Sequence, residues 1–95
     1  MARGISAADL AAFTGRPAAD PAVVEAAAES LVILDRYWHT DPWTGATALA
    51  QKHVGRWLLQ ARQGDLVDAG DLGTVFLPSR LPAVDKLIDR RGGFA

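Results

Sequence analysis

The sequence contains no cysteine, which excludes disulfide bonds and thiolate metal ligands and fits a reducing environment. Its longest purely aliphatic run, 31–34, is far too short to cross a bilayer. The net charge is only −1 with histidine neutral, so broad phosphate binding is not expected. A basic-then-apolar leader is also lacking, because Asp9 interrupts the alanine-rich start. We therefore expect a soluble chain that is not secreted through a cleaved signal peptide.

Motifs for catalysis and for cofactor binding are lacking as well. No serine stands in a nucleophile frame such as G-x-S-x-G, and the acidic segment 65–71 fits neither a phosphate loop nor an EF-hand. His39 and His53, with Asp35 and Asp41, do not have the spacing of a zinc or di-metal site. The sequence therefore predicts no enzyme, no cofactor and no metal.

What the sequence does contain is a long amphipathic stretch, 20–39, around which the rest is organised. Asp20 is a good N-cap and Pro21 suits the first helical position, while Thr40 to Pro42 stop the helix. Apolar residues recur at steps of three and four, as one helix face requires; they are Val23, Ala27, Leu31, Leu34 and Trp38.

A shorter helix is predicted before this stretch. Ser6 and Asp9 form a capping box, and Gly15 is a plausible end, followed by a linker. Residues 1–19 are expected to be an N-terminal arm that packs on the long helix through Ile5, Leu10 and Phe13.

A third helix, capped by Thr44 or Thr47, is predicted to end near Arg62 and to pack antiparallel to the long helix. His53 falls on its apolar face and is expected to be half-buried and hydrogen-bonded. Its polar residues are expected to be solvated or at an interface; they are Gln51, Lys52, Arg56, Gln60 and Arg62.

The C-terminal third is predicted to contain an exposed acidic loop at 65–72, an extended run at 73–77 and a last helix that begins at Pro82. The extended run either crosses the core as a connector or pairs with a partner chain. Residues 89–95 form a tail. The predicted fold is all-α: one domain, 1–95, built as a small bundle of about four helices with a short extended segment.

The three tryptophans allow two interpretations. Trp38, Trp43 and Trp57 either fill the core of a small protein or mark a binding surface, where tryptophan is enriched. Trp43, in a loop between Pro42 and Gly45, is the best candidate for contact with a partner.

The order of these segments resembles the tailed-phage head–tail connector family, also called adaptor or head-completion proteins. Residues 9–17 (DLAAFTGRP) are similar to the family's opening helix, and 26–34 (AAAESLVIL) to its alanine-rich second helix. Residues 48–63 resemble its third helix, and 75–91 its short extended run and closing helix. The tryptophan-rich segment 37–43 departs from the family pattern.

The resemblance implies a ring, commonly twelvefold, in the virion neck, assembled in the host cytoplasm. Such a ring docks under the portal protein, extends the DNA channel without sequence-specific binding and receives a stopper or tail-completion protein. The family's C-terminal segment commonly enters the portal, which implies contacts from Arg90, Arg91 and Phe94. Loops of the family face a neighbouring subunit, the channel or the stopper, which implies contacts from Asp65, Asp68 and Asp71.

Two other functions stay open at this point. One is a small helical DNA-binding regulator or antitoxin-like protein, although no basic recognition helix is evident. The helix that ends at Arg62 mixes the basic residues Lys52, Arg56 and Arg62 with Trp57 and Leu58. The other is a helical adaptor in a cellular complex.

Overall fold

The computed structural model describes residues 3–62 and 81–89 of the 95. These residues form four helices and no strand; the helices are α1 (Ala7–Thr14), α2 (Pro21–Tyr37), α3 (Gly45–Arg62) and α4 (Pro82–Asp85). The fold is therefore all-α, as predicted. Within the two described ranges, no helix has both the length and the apolarity that crossing a membrane requires. The extended run predicted at 73–77 lies outside the described residues.

The predicted boundaries of α1 are confirmed in atomic detail. Ser6 Oγ accepts a hydrogen bond from the Asp9 N–H at 3.1 Å, and the Ser6 N–H donates to Asp9 Oδ2 at 3.1 Å. These bonds lower the pKa of the Asp9 carboxyl below its usual value, and the charge of Lys52 adds a smaller effect. Gly15 ends the helix with a φ of 74°, a left-handed conformation that glycine adopts without strain.

The long helix α2 begins as predicted but ends two residues early. Asp20 Oδ1 accepts from the Ala22 N–H at 2.9 Å, and Pro21 occupies the first turn. At the other end, Trp38 still donates its N–H to Leu34 but has an extended backbone. The prediction that Trp38 belongs to the helical face is therefore wrong. Its extended conformation turns the chain, and its indole reaches α4 instead.

One apolar core lies among the four helices. Gly55 in the middle of α3 has a clear packing role, because a Cβ there would lie 2.8 Å from both Leu10 methyl carbons. Glycine is unfavourable inside a helix, but here it lets α1 approach the α3 backbone closely. The largest apolar side chains with no exposed surface are Trp38, Leu10, Leu34, Val23, Val54 and Val84.

Gln51 is buried, with 1% of its surface exposed, so the prediction that it is solvated or at an interface is wrong. Its Oε1 accepts from the Ile5 N–H at 2.8 Å. Its Nε2 donates to the Ala27 carbonyl at 3.0 Å and to Ser30 Oγ at 3.1 Å. Because all three partners come from other parts of the chain, one amide joins the N-terminal arm, α2 and α3.

The last helix is much shorter than predicted. It starts at Pro82, as expected, but ends at Asp85, and Leu87 and Ile88 continue in a turn whose N–H groups bond to the Val84 carbonyl. The Asp89 carbonyl accepts a hydrogen bond from the His39 N–H at 2.8 Å. This bond holds the backbone at Asp89 beside the C-terminal end of α2.

Substituting Leu34 by Asp should unfold the protein, because Leu34 is fully buried and an unpaired carboxylate there would destabilise by more than about 5 kcal/mol. Val32→Asp places the same side chain on the same helix at a position that is 67% exposed and should change stability by less than about 1 kcal/mol. Far-ultraviolet circular dichroism with thermal melting compares them. A folded Leu34→Asp protein would show that the core assignment is wrong.

Substituting Gln51 by Ala should lower the free energy of unfolding by about 3 kcal/mol, because it leaves the Ile5 N–H without its acceptor and removes the two buried bonds that Nε2 donates to the Ala27 carbonyl and to Ser30 Oγ. Gln60→Ala, at an exposed position of the same helix, should change it by less than about 0.5 kcal/mol. Urea titration measures both values. Equal stability of the two variants would contradict a structural role for the Gln51 amide.

Candidate interaction site

The C-terminal segment 81–89 is fastened to the end of α2. The Trp38 indole Nε1–H donates to Asp85 Oδ1 at 2.9 Å, and Trp38 has no exposed surface. Four residues further along, the Asp89 carbonyl accepts the His39 N–H. Buried Leu81 and Val84 anchor the same segment in the core. Asp89, the last described residue of this segment, therefore has a fixed position beside α2.

The N-terminal arm meets the same region from the other side. The Arg3 guanidinium contacts Asp35 Oδ1, donates to Thr40 Oγ1 at 3.0 Å and lies 5.5 Å from the centre of the Trp43 ring. Thr40 also donates its hydroxyl to Asp35 at 2.6 Å. The segment after α2 is therefore held by residues from both ends of the described chain.

The tryptophans are divided between the core and its margin. Trp38 lies in the core, whereas Trp43 and Trp57 are half-buried and pack against it. One surface of Trp43 is taken by Arg3, so a partner would meet only the remainder of the ring. A partner contact at Trp43 stays a prediction.

The other predicted contact residues fall outside the described ranges. They are Arg90, Arg91 and Phe94 in the C-terminal tail, and Asp65, Asp68 and Asp71 in the acidic loop. Their roles stay predictions, as does the alternative that 73–77 pairs with another chain.

His53 lies half-buried on α3 with its ring edge-on to Phe13, and the two ring centres are 5.2 Å apart. Burial lowers the pKa of His53, and the nearby charge of Arg56 lowers it further. His53 and Arg56 line one side of a cavity of about 220 Å³ between α3 and α4. Its other lining residues are Trp57, Gln60, Leu81, Pro82 and Ala83.

Within 3–62 and 81–89, no three His, Asp or Glu side chains lie close enough to hold an ion together. Of the four residues considered from the sequence, Asp35 contacts Arg3 and Thr40, and His53 packs on Phe13.

The outer faces of α2 and α3 carry exposed apolar side chains, of which Val24 and Val32 have no role assigned from the sequence. Val24 is 51% exposed, Val32 is 67% exposed and Leu49 is 37% exposed. The signal was present in the sequence, because Val24 and Val32 lie off the helical face that Val23 and Leu34 define.

Comparison with known proteins gives no relative: no protein-family model matches this chain, nor does any curated protein or solved structure.

Stability should fall as the pH drops below about 6.5, because folded His53 binds a proton less readily than the unfolded chain does. Lowering the pH protonates the unfolded state first and favours it. His53→Gln should remove this part of the pH dependence, whereas His39→Gln, which changes an exposed side chain, should retain it. Urea titrations between pH 5 and pH 8 test this, and identical pH profiles for the two variants would contradict it.

Proposed function

We propose that this chain is a structural connector of a tailed-phage neck. As a small helical bundle, it forms a ring, commonly of twelve copies, that docks beneath the portal protein and extends the DNA channel. It assembles in the host cytoplasm and offers its far side to a stopper or tail-completion protein. The proposal combines the family resemblance of the sequence with the all-α fold.

The observation that carries the proposal is the anchoring of the C-terminal segment. Trp38 and His39 form hydrogen bonds to Asp85 and Asp89. The tail that follows Asp89 therefore begins at a residue whose position is fixed. A tail with a fixed root loses less conformational entropy on binding than one whose root also moves. This suits the proposed insertion of 90–95 into the portal, with Arg90, Arg91 and Phe94 as contacts.

The remaining sequence features are assigned within the same proposal. The acidic loop residues Asp65, Asp68 and Asp71 face a neighbouring copy, the channel or the stopper, and Trp43 contributes its uncovered surface to a partner. The segment 73–77 is extended before the last helix. A net charge of −1 suits a channel through which DNA slides, because neutralising many phosphates would bind DNA tightly.

The proposal is tested with the full chain and the portal protein encoded by the same genome. We expect the two to co-sediment as one ring-shaped assembly, and we expect no shift of duplex DNA in a gel. Salt-sensitive duplex binding by a dimer that ignores the portal would contradict the connector and favour the regulator.

Removing Gly92–Ala95, or reversing Arg90 and Arg91 to Glu, should abolish co-sedimentation with the portal because the proposed anchors are lost. Both variants should keep the circular dichroism spectrum and melting temperature of the parent, since Val84 is the last buried side chain among the described residues, which reach to Asp89. Lys86→Glu reverses an exposed charge in the same segment and should dock normally. Docking by the truncated chain would contradict the proposed tail contact.

A further inference from the structure

The outer face of α2 presents a narrow apolar stripe. Val24, Ala28 and Val32 follow one another at intervals of four residues, so they lie side by side on the helix surface. All three are exposed, and the two valines expose half or more of their surface. Ala28, the smallest of the three side chains, lies between the two valines.

One edge of this stripe is acidic. Glu25 and Glu29 are exposed, each one residue beyond Val24 and Ala28 in sequence, and therefore share one flank of the stripe. Both also make interactions within their own chain. Their negative charge is available to a neighbouring surface all the same, because charge acts over several ångströms.

The outer face of α3 has the complementary character. Leu49 is 37% exposed, and Lys52 and Arg56 follow it at intervals of three and four residues. The Arg56 guanidinium lies 5.4 Å from the centre of the Phe13 ring, and Lys52 lies near Asp9. This face therefore carries one exposed apolar side chain beside two basic ones.

We propose that the outer face of α2 in one copy binds the outer face of α3 in the next copy. Leu49 fits over Ala28 between the two valines. Lys52 and Arg56 then lie beside the acidic flank of the neighbouring α2. The inference deepens the proposed ring, on which it rests for its biological setting.

The contact is heterologous, because the two faces differ and belong to different helices. α2 and α3 pack together through their buried faces, so their outer faces point to different sides of the molecule. A contact of this kind repeats from copy to copy and generates a ring if the rotation closes.

Charge disfavours the symmetric alternatives. Two α2 faces crossing antiparallel at Ala28 would place Glu29 of one copy near Glu29 of the other. Two α3 faces would likewise bring Lys52 and Arg56 close to their counterparts. Like charges facing one another across an interface are destabilising, whereas the mixed contact brings opposite charges together.

The contact is small. Specific interfaces bury about 1,200 Å² or more, and a contact made by three or four apolar side chains buries less than that. A single pair of copies therefore associates weakly. In a closed ring each copy makes two such contacts, and docking on a common partner raises the local concentration further.

The lack of cysteine makes the contact directly testable. Ala28→Cys and Leu49→Cys variants, one carrying a size tag, are mixed at high concentration and treated with a short bismaleimide. We expect about tenfold more cross-linked dimer in the mixture than in either variant alone. Dimers formed equally by Ala28→Cys alone would show a symmetric contact, and no dimer in any sample would show no contact; either result overturns the proposal.

Charge reversal adds a second readout on folded protein. Glu25→Lys and Glu29→Lys, introduced into the Ala28→Cys chain, should reduce the mixed cross-link about tenfold. Lys52→Glu and Arg56→Glu in the Leu49→Cys chain should restore it. Failure to restore the cross-link would overturn the assignment of these charges to one interface.

The portal takes no part in this experiment, so the two proposals can fail separately. A chain whose Ala28→Cys and Leu49→Cys variants cross-link to each other, but which never co-sediments with the portal, would overturn the connector function alone. A chain that docks on the portal without this cross-link would overturn the interface alone.

Discussion

The Gln51 amide is the constraint on which the rest of the described structure depends. It lies where water does not reach, and its three hydrogen bonds join backbone and side-chain groups of the N-terminal arm and α2 to α3. Apolar side chains can still pack after one helix shifts slightly along another, whereas a buried amide keeps all its hydrogen bonds in one arrangement only. Among the described residues, no buried side-chain polar atom lacks a partner. The amide therefore fixes the register of the three elements.

The tryptophan-rich segment 37–43 is a second region where distant parts of the chain meet. Both ends of the described chain meet it: Arg3 contacts Thr40 and Trp43, while Asp85 and Asp89 bond to Trp38 and His39. The segment that departs from the connector pattern is thus the place where the N-terminal arm and the C-terminal segment are fastened. In the proposed function, this fastening sets where the portal-binding tail leaves the protein.

Local signals in the sequence predicted the local structure well. The capping box of Ser6 and Asp9, the glycine stop and the Asp20–Pro21 start are interactions within four residues, and each is confirmed. The predictions that are wrong depend on distant residues. Gln51 is buried with hydrogen-bond partners that lie 21 to 46 residues away in sequence, and Trp38, where α2 ends, bonds to Asp85, which is 47 residues away. Helical periodicity contains no information about such partners. The proposed contact residues beyond Asp89 lie outside the described structure, so sequence resemblance alone supports them.

In the proposed function, the chain acts by binding other proteins side by side around a channel. Electron cryomicroscopy of the full chain bound to its portal ring tests this most directly. We expect one copy per portal subunit, with the outer faces of α2 and α3 in contact between neighbours and residues 90–95 inside the portal. Copies that are separated from one another, with their C-terminal segments pointing away from the portal, would contradict it.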